Sequence, residues 1–149
     1  MRDNIPFRLS IRKSDRSEYE RLKEKDSPLR DRVNKDLFMM TMITGFCENN
    51  KVKLDARDGF IFDNYLTPRD LTIMKAIAIA ELDSLSILLD KKQVYSIAEE
   101  YAAGGILLLK NDIFGGEYGS YAKRLESKII EKHRELFESS PCLAKKSVF

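Results

Sequence analysis

Apolar and polar residues alternate at the start of the chain, with Ile5, Phe7, Leu9 and Ile11 on one side and Pro6, Arg8, Ser10 and Arg12 on the other. A period of two predicts a strand with one buried face. The spacing then changes: in SEYERLKEK, Tyr19 and Leu22 stand three apart amid charge, which predicts a short, mostly exposed helix capped by Ser14 or Ser17. The polar stretch around Pro28 ends it. From Asn34, read as the next cap, KDLFMMTMITGF (35–46) is apolar on nearly every side and predicts a helix inside a core. Its Met39, Met40 and Met42 would also suit an adaptable partner groove, but core packing is the simpler account.

KVKLDARDGFIFDNYL reads as a connector with Asp58-Gly59 as a turn signal and FIF as a short strand. Thr67-Pro68-Arg69-Asp70 is a helix start: a capping hydroxyl, proline at the first helical position and a carboxylate three residues after the cap. LTIMKAIAIAELD continues that helix, and Ser84 to Leu89 predicts another short one. Val94, Ile97, Ala98 and Tyr101 keep helical spacing up to Gly104-Gly105, where the helix either ends or packs closely against a neighbour; residues 106–109 are too few to classify. After a loop marked by Gly115, Gly116 and Gly119, residues Tyr121, Leu125, Ile129, Lys132, Leu136 and Phe137 trace a last amphipathic helix, able to cover the core or pair with another subunit.

The expected fold is mainly α, one domain with a short N-terminal β-strand: a basic strand and helix over 1–33, a helical core over 34–138 and a mobile tail over 139–149. A chain of 149 residues buries about two-thirds of its unfolded surface without a covalent staple. Cys47, expected in the core, and Cys142, in the polar tail, are too far apart in sequence to suggest a metal or disulfide framework. Reduced thiols, no signal-peptide core at the start and no membrane-length apolar run together predict a soluble, cytoplasmic protein with no membrane partner.

The net charge of +2 is unevenly spread. Residues 1–35 carry eleven Lys and Arg against seven Asp and Glu, 36–119 carry eight against thirteen, and 120–149 carry seven against four. Two basic ends flank an acidic centre. Basic ends can neutralise nucleic-acid phosphates, although solvated surface is the ordinary fate of such residues.

Chemistry is scarce. His133 is the one histidine and lies on a charged helix, so zinc-type ligand sets are excluded. GGEYGSY lacks a Walker lysine and a preceding strand, and reads as a flexible turn. Of the acidic pairs, Asp55 with Asp58 and Glu99 with Glu100 carry no motif, and neighbouring residues on a helix do not face each other. The expectation is a protein without catalytic residues, metal or cofactor.

A strand followed by two helices, with Arg8, Ser10 and Arg12 on the polar face and Lys13 and Arg16 just after, has the layout of a ribbon-helix-helix arm. In that class two strands pair across a dimer and their polar face reads the major groove. These five residues are the candidate nucleic-acid contacts. Lys35 and Asp36, at the start of the methionine-rich helix, are the candidate partner contacts.

The segments RLSIRKSDRSEYERL, KDLFMMTMITGF, AIAIAELD (76–83) and IAEEYAAGGILLL (97–109), in that order, resemble the small accessory proteins of the Dnd DNA phosphorothioation and restriction systems. KDLFMM with TGF, and EEYAAGGI, are the specific parts. Leu29 stands where that family has an aromatic, and 50–66 does not match. The resemblance implies a part in antiphage or anti-plasmid defence beside larger DNA-modifying or DNA-cleaving proteins, and it carries over no catalytic residue. The function expected is an accessory subunit docking on such a partner, with duplex DNA and a second copy of the chain as further partners. A DNA-binding regulator using the basic arm is the alternative.

Overall fold

The computed structural model describes residues 7–115 and 121–138. Ile5 and Pro6 of the alternating arm, Gly116 and Gly119 of the glycine loop, Cys142 and the whole of 139–149 lie outside the described residues. The chain divides into two compact units, Met1–Asn111 and Asp112–Phe149. Its elements run β1 (Arg8–Arg12), a 3-10 turn, α1 (Arg16–Leu22), α2 (Asn34–Cys47), β2 (Arg57–Phe62), a second 3-10 turn, α3 (Pro68–Leu82), a 3-10 helix (Leu85–Leu89), α4 (Lys91–Phe114) and α5 (Tyr121–Glu138). The fold is mainly α, as the patterning predicts.

β1 forms because its alternation lets Leu9 and Ile11 enter the core while Arg8 stays in solvent. Its partner is β2 of the same chain, antiparallel, with Arg8 opposite Phe62 and Arg12 opposite Arg57. The register slips once, Leu9 facing Ile61 and Ser10 facing Gly59, so that Phe60 is the extra residue of a β-bulge. Asp58-Gly59, predicted as a turn, therefore lies inside a strand. This ladder also differs from a ribbon-helix-helix arm, whose strand pairs with a second chain. Lys13 donates to the Ala56 carbonyl and Phe7 accepts from Asp63, so the odd positions of β1 face β2. The amide of Ser10 thus lies on the other edge, where it is taken by a side chain of α4.

Two expected caps move by one or more residues. Val33 precedes α2, with Asn34 as its first residue, and Asp15 precedes α1 in place of Ser14 or Ser17; neither makes a side-chain cap bond. Both helices are held by packing: Tyr19 and Leu22 on α1, and Leu37, Phe38, Met39, Thr41 and Met42 on α2, are buried. Tyr19 donates to the Thr41 hydroxyl at 2.7 Å, and that hydroxyl donates in turn to the Phe38 carbonyl at 2.9 Å. Cys47, the last residue of α2, is exposed and not in the core, because the helix has by then passed its crossing with α4.

At that crossing the two backbones approach closely. A Cβ on Gly105 would lie 1.8 Å from the Thr41 carbonyl oxygen, and one on Gly45 would lie 2.0 Å from that of Tyr101. Two glycines therefore let the backbones of α2 and α4 touch, and α4 runs unbroken through Gly104-Gly105. Ala98, Ala102 and Ile106 continue the buried face of α4, with Met74, Ile77 and Ala78 of α3 also buried. α3 begins at the predicted Thr67, with Asp70 completing a reciprocal capping box.

In the second unit, Lys128 on α5 pairs with Asp112 at 2.8 Å and Arg124 donates to the Ile113 carbonyl at 3.2 Å. These contacts tie the first half of α5 to the last turn of α4. No side chain of α5 is buried. No helix among the described residues is long and apolar enough to cross a membrane.

Candidate interaction surfaces

The basic arm is drawn into the sheet and its neighbours. Arg8 donates to the Gly59 carbonyl at 3.1 Å, with its guanidinium over the Phe62 ring. Arg12 grips Asp15 through two nitrogens, at 3.1 and 2.9 Å, and this buried carboxylate holds the Arg12 pKa above its ordinary value. Arg16 pairs with Asp58 at 3.1 Å. Lys13 uses its backbone amide in the ladder and leaves its side chain exposed. Arg12 and Arg16 thus each carry a carboxylate partner, which lowers what either offers a phosphate.

Glu99, read in the sequence as half of a motif-less acidic pair with Glu100, is 2% exposed. One carboxylate oxygen accepts the Ser10 amide at 2.9 Å, and Arg57 Nη1 reaches both oxygens at 3.0 and 3.1 Å. Desolvation raises its pKa; Arg57 and the Ser10 amide oppose that rise. Buried, bridging and fully hydrogen-bonded, Glu99 works as a clamp between α4 and the sheet.

Lys35 bonds to Asp70 at 3.0 Å and to Asp36 at 3.3 Å. Asp70 also accepts the Thr67 amide at 2.9 Å. Burial alone would raise the Asp70 pKa, but the Thr67 amide and hydroxyl together with Lys35 bring it below the usual value. The two candidate partner contacts therefore sit where the start of α2 meets the capping box of α3. A second such network joins Lys51 to Glu81 and Glu100, while the Tyr101 hydroxyl donates to Glu81. Lys51 and then Tyr101 depress Glu81, whereas burial and Glu81 push Tyr101 up to about 12.

With these carboxylates in structural pairs, the unspent surface is apolar. Leu85 and Leu89, on the 3-10 helix after α3, are 70% and 92% exposed, and Leu82 and Leu88 beside them are also open. Leu88 forms one wall of a groove of about 410 Å³ with Leu71, Val94 and Tyr95. Lys75 and the Asp63–Lys91 ion pair, closed at 2.7 Å, supply its polar rim. The patterning of LSILL indicated a helix there but not an exposed surface; its one legible signal was four large apolar residues in five, between polar neighbours. Among the described residues, no group of histidine, cysteine, aspartate or glutamate could hold a metal ion.

The family of DNA sulphur modification system-associated protein 4 matches residues 13–141. The chain belongs to this family. No curated protein and no solved structure gives a match. The family is associated with a DNA sulphur modification system, in agreement with the resemblance carried by KDLFMM and EEYAAGGI. The matched span starts at Lys13, so it takes in Lys13, Arg16, Lys35 and Asp36 but leaves out Arg8, Ser10 and Arg12.

Proposed function

We propose that this member of the family is a non-catalytic accessory subunit of a DNA-modification-linked antiphage defence system, and that it docks on a larger protein of that system. The observation that carries the reading is the leucine surface after α3. Leu85 and Leu89 stand in water beside a groove that already has apolar walls. Exposed apolar residues rimmed by charge are a mark of protein–protein contact. Of the acidic pairs weighed from the sequence, Glu99, Glu100 and Asp58 are each held by a cation, which supports the same reading.

Contact with DNA is a secondary part of this proposal and rests on Arg8 and Lys13, for which no carboxylate partner is found among the described residues. The alternative of a regulator reading duplex through a two-chain ribbon has less support. The Ser10 edge of β1 is closed by Glu99, and the other edge by β2.

Co-purification with the proteins encoded beside it tests the reading. Leu85→Asp with Leu89→Asp should abolish capture while leaving the melting temperature unchanged. A chain that stays alone in the presence of every protein of the system refutes docking, and catalytic turnover by the purified chain refutes the non-catalytic role.

A further inference from the structure

On the polar side of the two-stranded sheet, Arg8 and Phe62 stand opposite each other in the ladder, and both are exposed, Phe62 to 40%. The Arg8 side chain lies across the sheet, over Gly59. Its guanidinium donates to the Gly59 carbonyl and sits 5.2 Å from the centre of the Phe62 ring. Gly59 makes room for this, since a Cβ there would come within 2.4 Å of Arg8 Nε. A held guanidinium and an exposed aromatic ring thus form one platform, and Tyr65, three residues past Phe62, is 67% exposed.

We infer that this platform stacks the unpaired bases of single-stranded DNA. The inference rests on the DNA contact proposed above and specifies its substrate. Charge fits the occupant: Arg8 at the start of β1 and Lys13 just past its end have no carboxylate partner among the described residues. The acids around the ribbon are mostly spent. Asp15 and Glu99 are buried and held by Arg12 and Arg57, Asp58 pairs with Arg16, and Asp63 is closed by Lys91. Asp55 is exposed, but at the Lys13 end, away from the platform.

Two free cations neutralise few phosphates, so the phosphate contribution to affinity is small. Stacking supplies the rest, and it selects the form of DNA. Bases inside a duplex have their faces covered by their neighbours, whereas unpaired bases offer theirs to aromatic rings and arginine planes. The five residues of β1 span about 17 Å, room for about three or four nucleotides, the small end of such sites.

Fluorescence anisotropy of the full chain, with a labelled fifteen-nucleotide oligo(dT) and with a duplex of the same length at about 50 mM salt, tests it. The single strand should bind at least fivefold more tightly than the duplex, with a log–log salt slope of about −1.4. Phe62→Ala should weaken single-strand binding about tenfold and erase the preference. Gly59→Ala pushes Arg8 off the platform and should also weaken single-strand binding, with the melting temperature little changed because only a flexible side chain has to move. The chain contains no tryptophan, so Phe62→Trp supplies a single reporter that oligo(dT) should quench and the duplex should not. Equal affinity for single strand and duplex overturns the inference while the DNA contact stands. No binding of either at 100 µM removes both and leaves docking on a larger protein untouched. Loss of partner capture in Phe62→Ala, with single-strand binding unaltered, assigns the platform to a protein and likewise overturns the inference.

Discussion

The carboxylate of Glu99 accepts the backbone amide of Ser10 at 2.9 Å across 89 residues of sequence. It closes the open edge of a two-stranded sheet. An unpaired strand edge is a template for further strands, and a buried acid anchored by Arg57 blocks it at one point. The same bond fixes α4 against β1, so the sheet and the longest helix among the described residues share one electrostatic joint.

That joint makes the first prediction. Arg57→Met leaves Glu99 buried without its cation and should cost about 1–3 kcal/mol at neutral pH, less than the loss from a fully buried pair because Arg57 is half in solvent. The Glu99 pKa is already raised by burial, and losing Arg57 raises it further. For an acid whose folded pKa lies above its unfolded one, stability falls as pH rises from the ordinary glutamate range through the folded value. The defect should therefore shrink on acidification, and Glu99→Gln in the same background should remove its pH dependence. Urea denaturation at several pH values measures both.

Gly105→Ala should destabilise by at least about 1–3 kcal/mol, since its Cβ would enter the space of the Thr41 carbonyl in backbone that cannot swing away. At an uncrowded helical site the same change would stabilise by about 1 kcal/mol. The sign of the shift in melting temperature decides whether α2 and α4 touch here.

Thr67→Ala should cost about 1 kcal/mol by removing the cap of α3. Asp70 and Glu81 have folded pKa values below their ordinary ones, so their contribution is present above the normal carboxylate range and is lost as pH falls through the folded values. Lys35→Met and Lys51→Met should each reduce stability at pH 7 and flatten its decline in acid. Thermal melts between pH 3 and pH 7 follow this.

Duplex binding by the arm should depend weakly on salt. With Arg12 and Arg16 held by carboxylates, Arg8 and Lys13 remain, and two neutralised phosphates give a log–log slope of about −2. Arg8→Ala with Lys13→Ala should abolish retardation by the arm in a gel-shift titration. A slope several units steeper would show that other cations carry the contact.

Sequence alone determined the elements whose signals are local. The alternation of Leu9 and Ile11 with Arg8 and Arg12 places a strand, the apolar block after Asn34 places a core helix, and Thr67 to Asp70 places a helix start, because each is decided within a few residues. The family was legible too, in KDLFMM and EEYAAGGI. Tertiary structure decided what each element meets. Gly104-Gly105 read equally as a helix end or a close approach until Thr41 and Asn50 supplied the neighbouring backbone. Glu99 read as one of an acidic pair with Glu100 until burial and Arg57 made it a clamp, and Lys35 read as an exposed contact until Asp70, 35 residues on, claimed it. Local patterning reports which side of an element is apolar; only the folded chain settles which distant charge, carbonyl or open surface lies across from it.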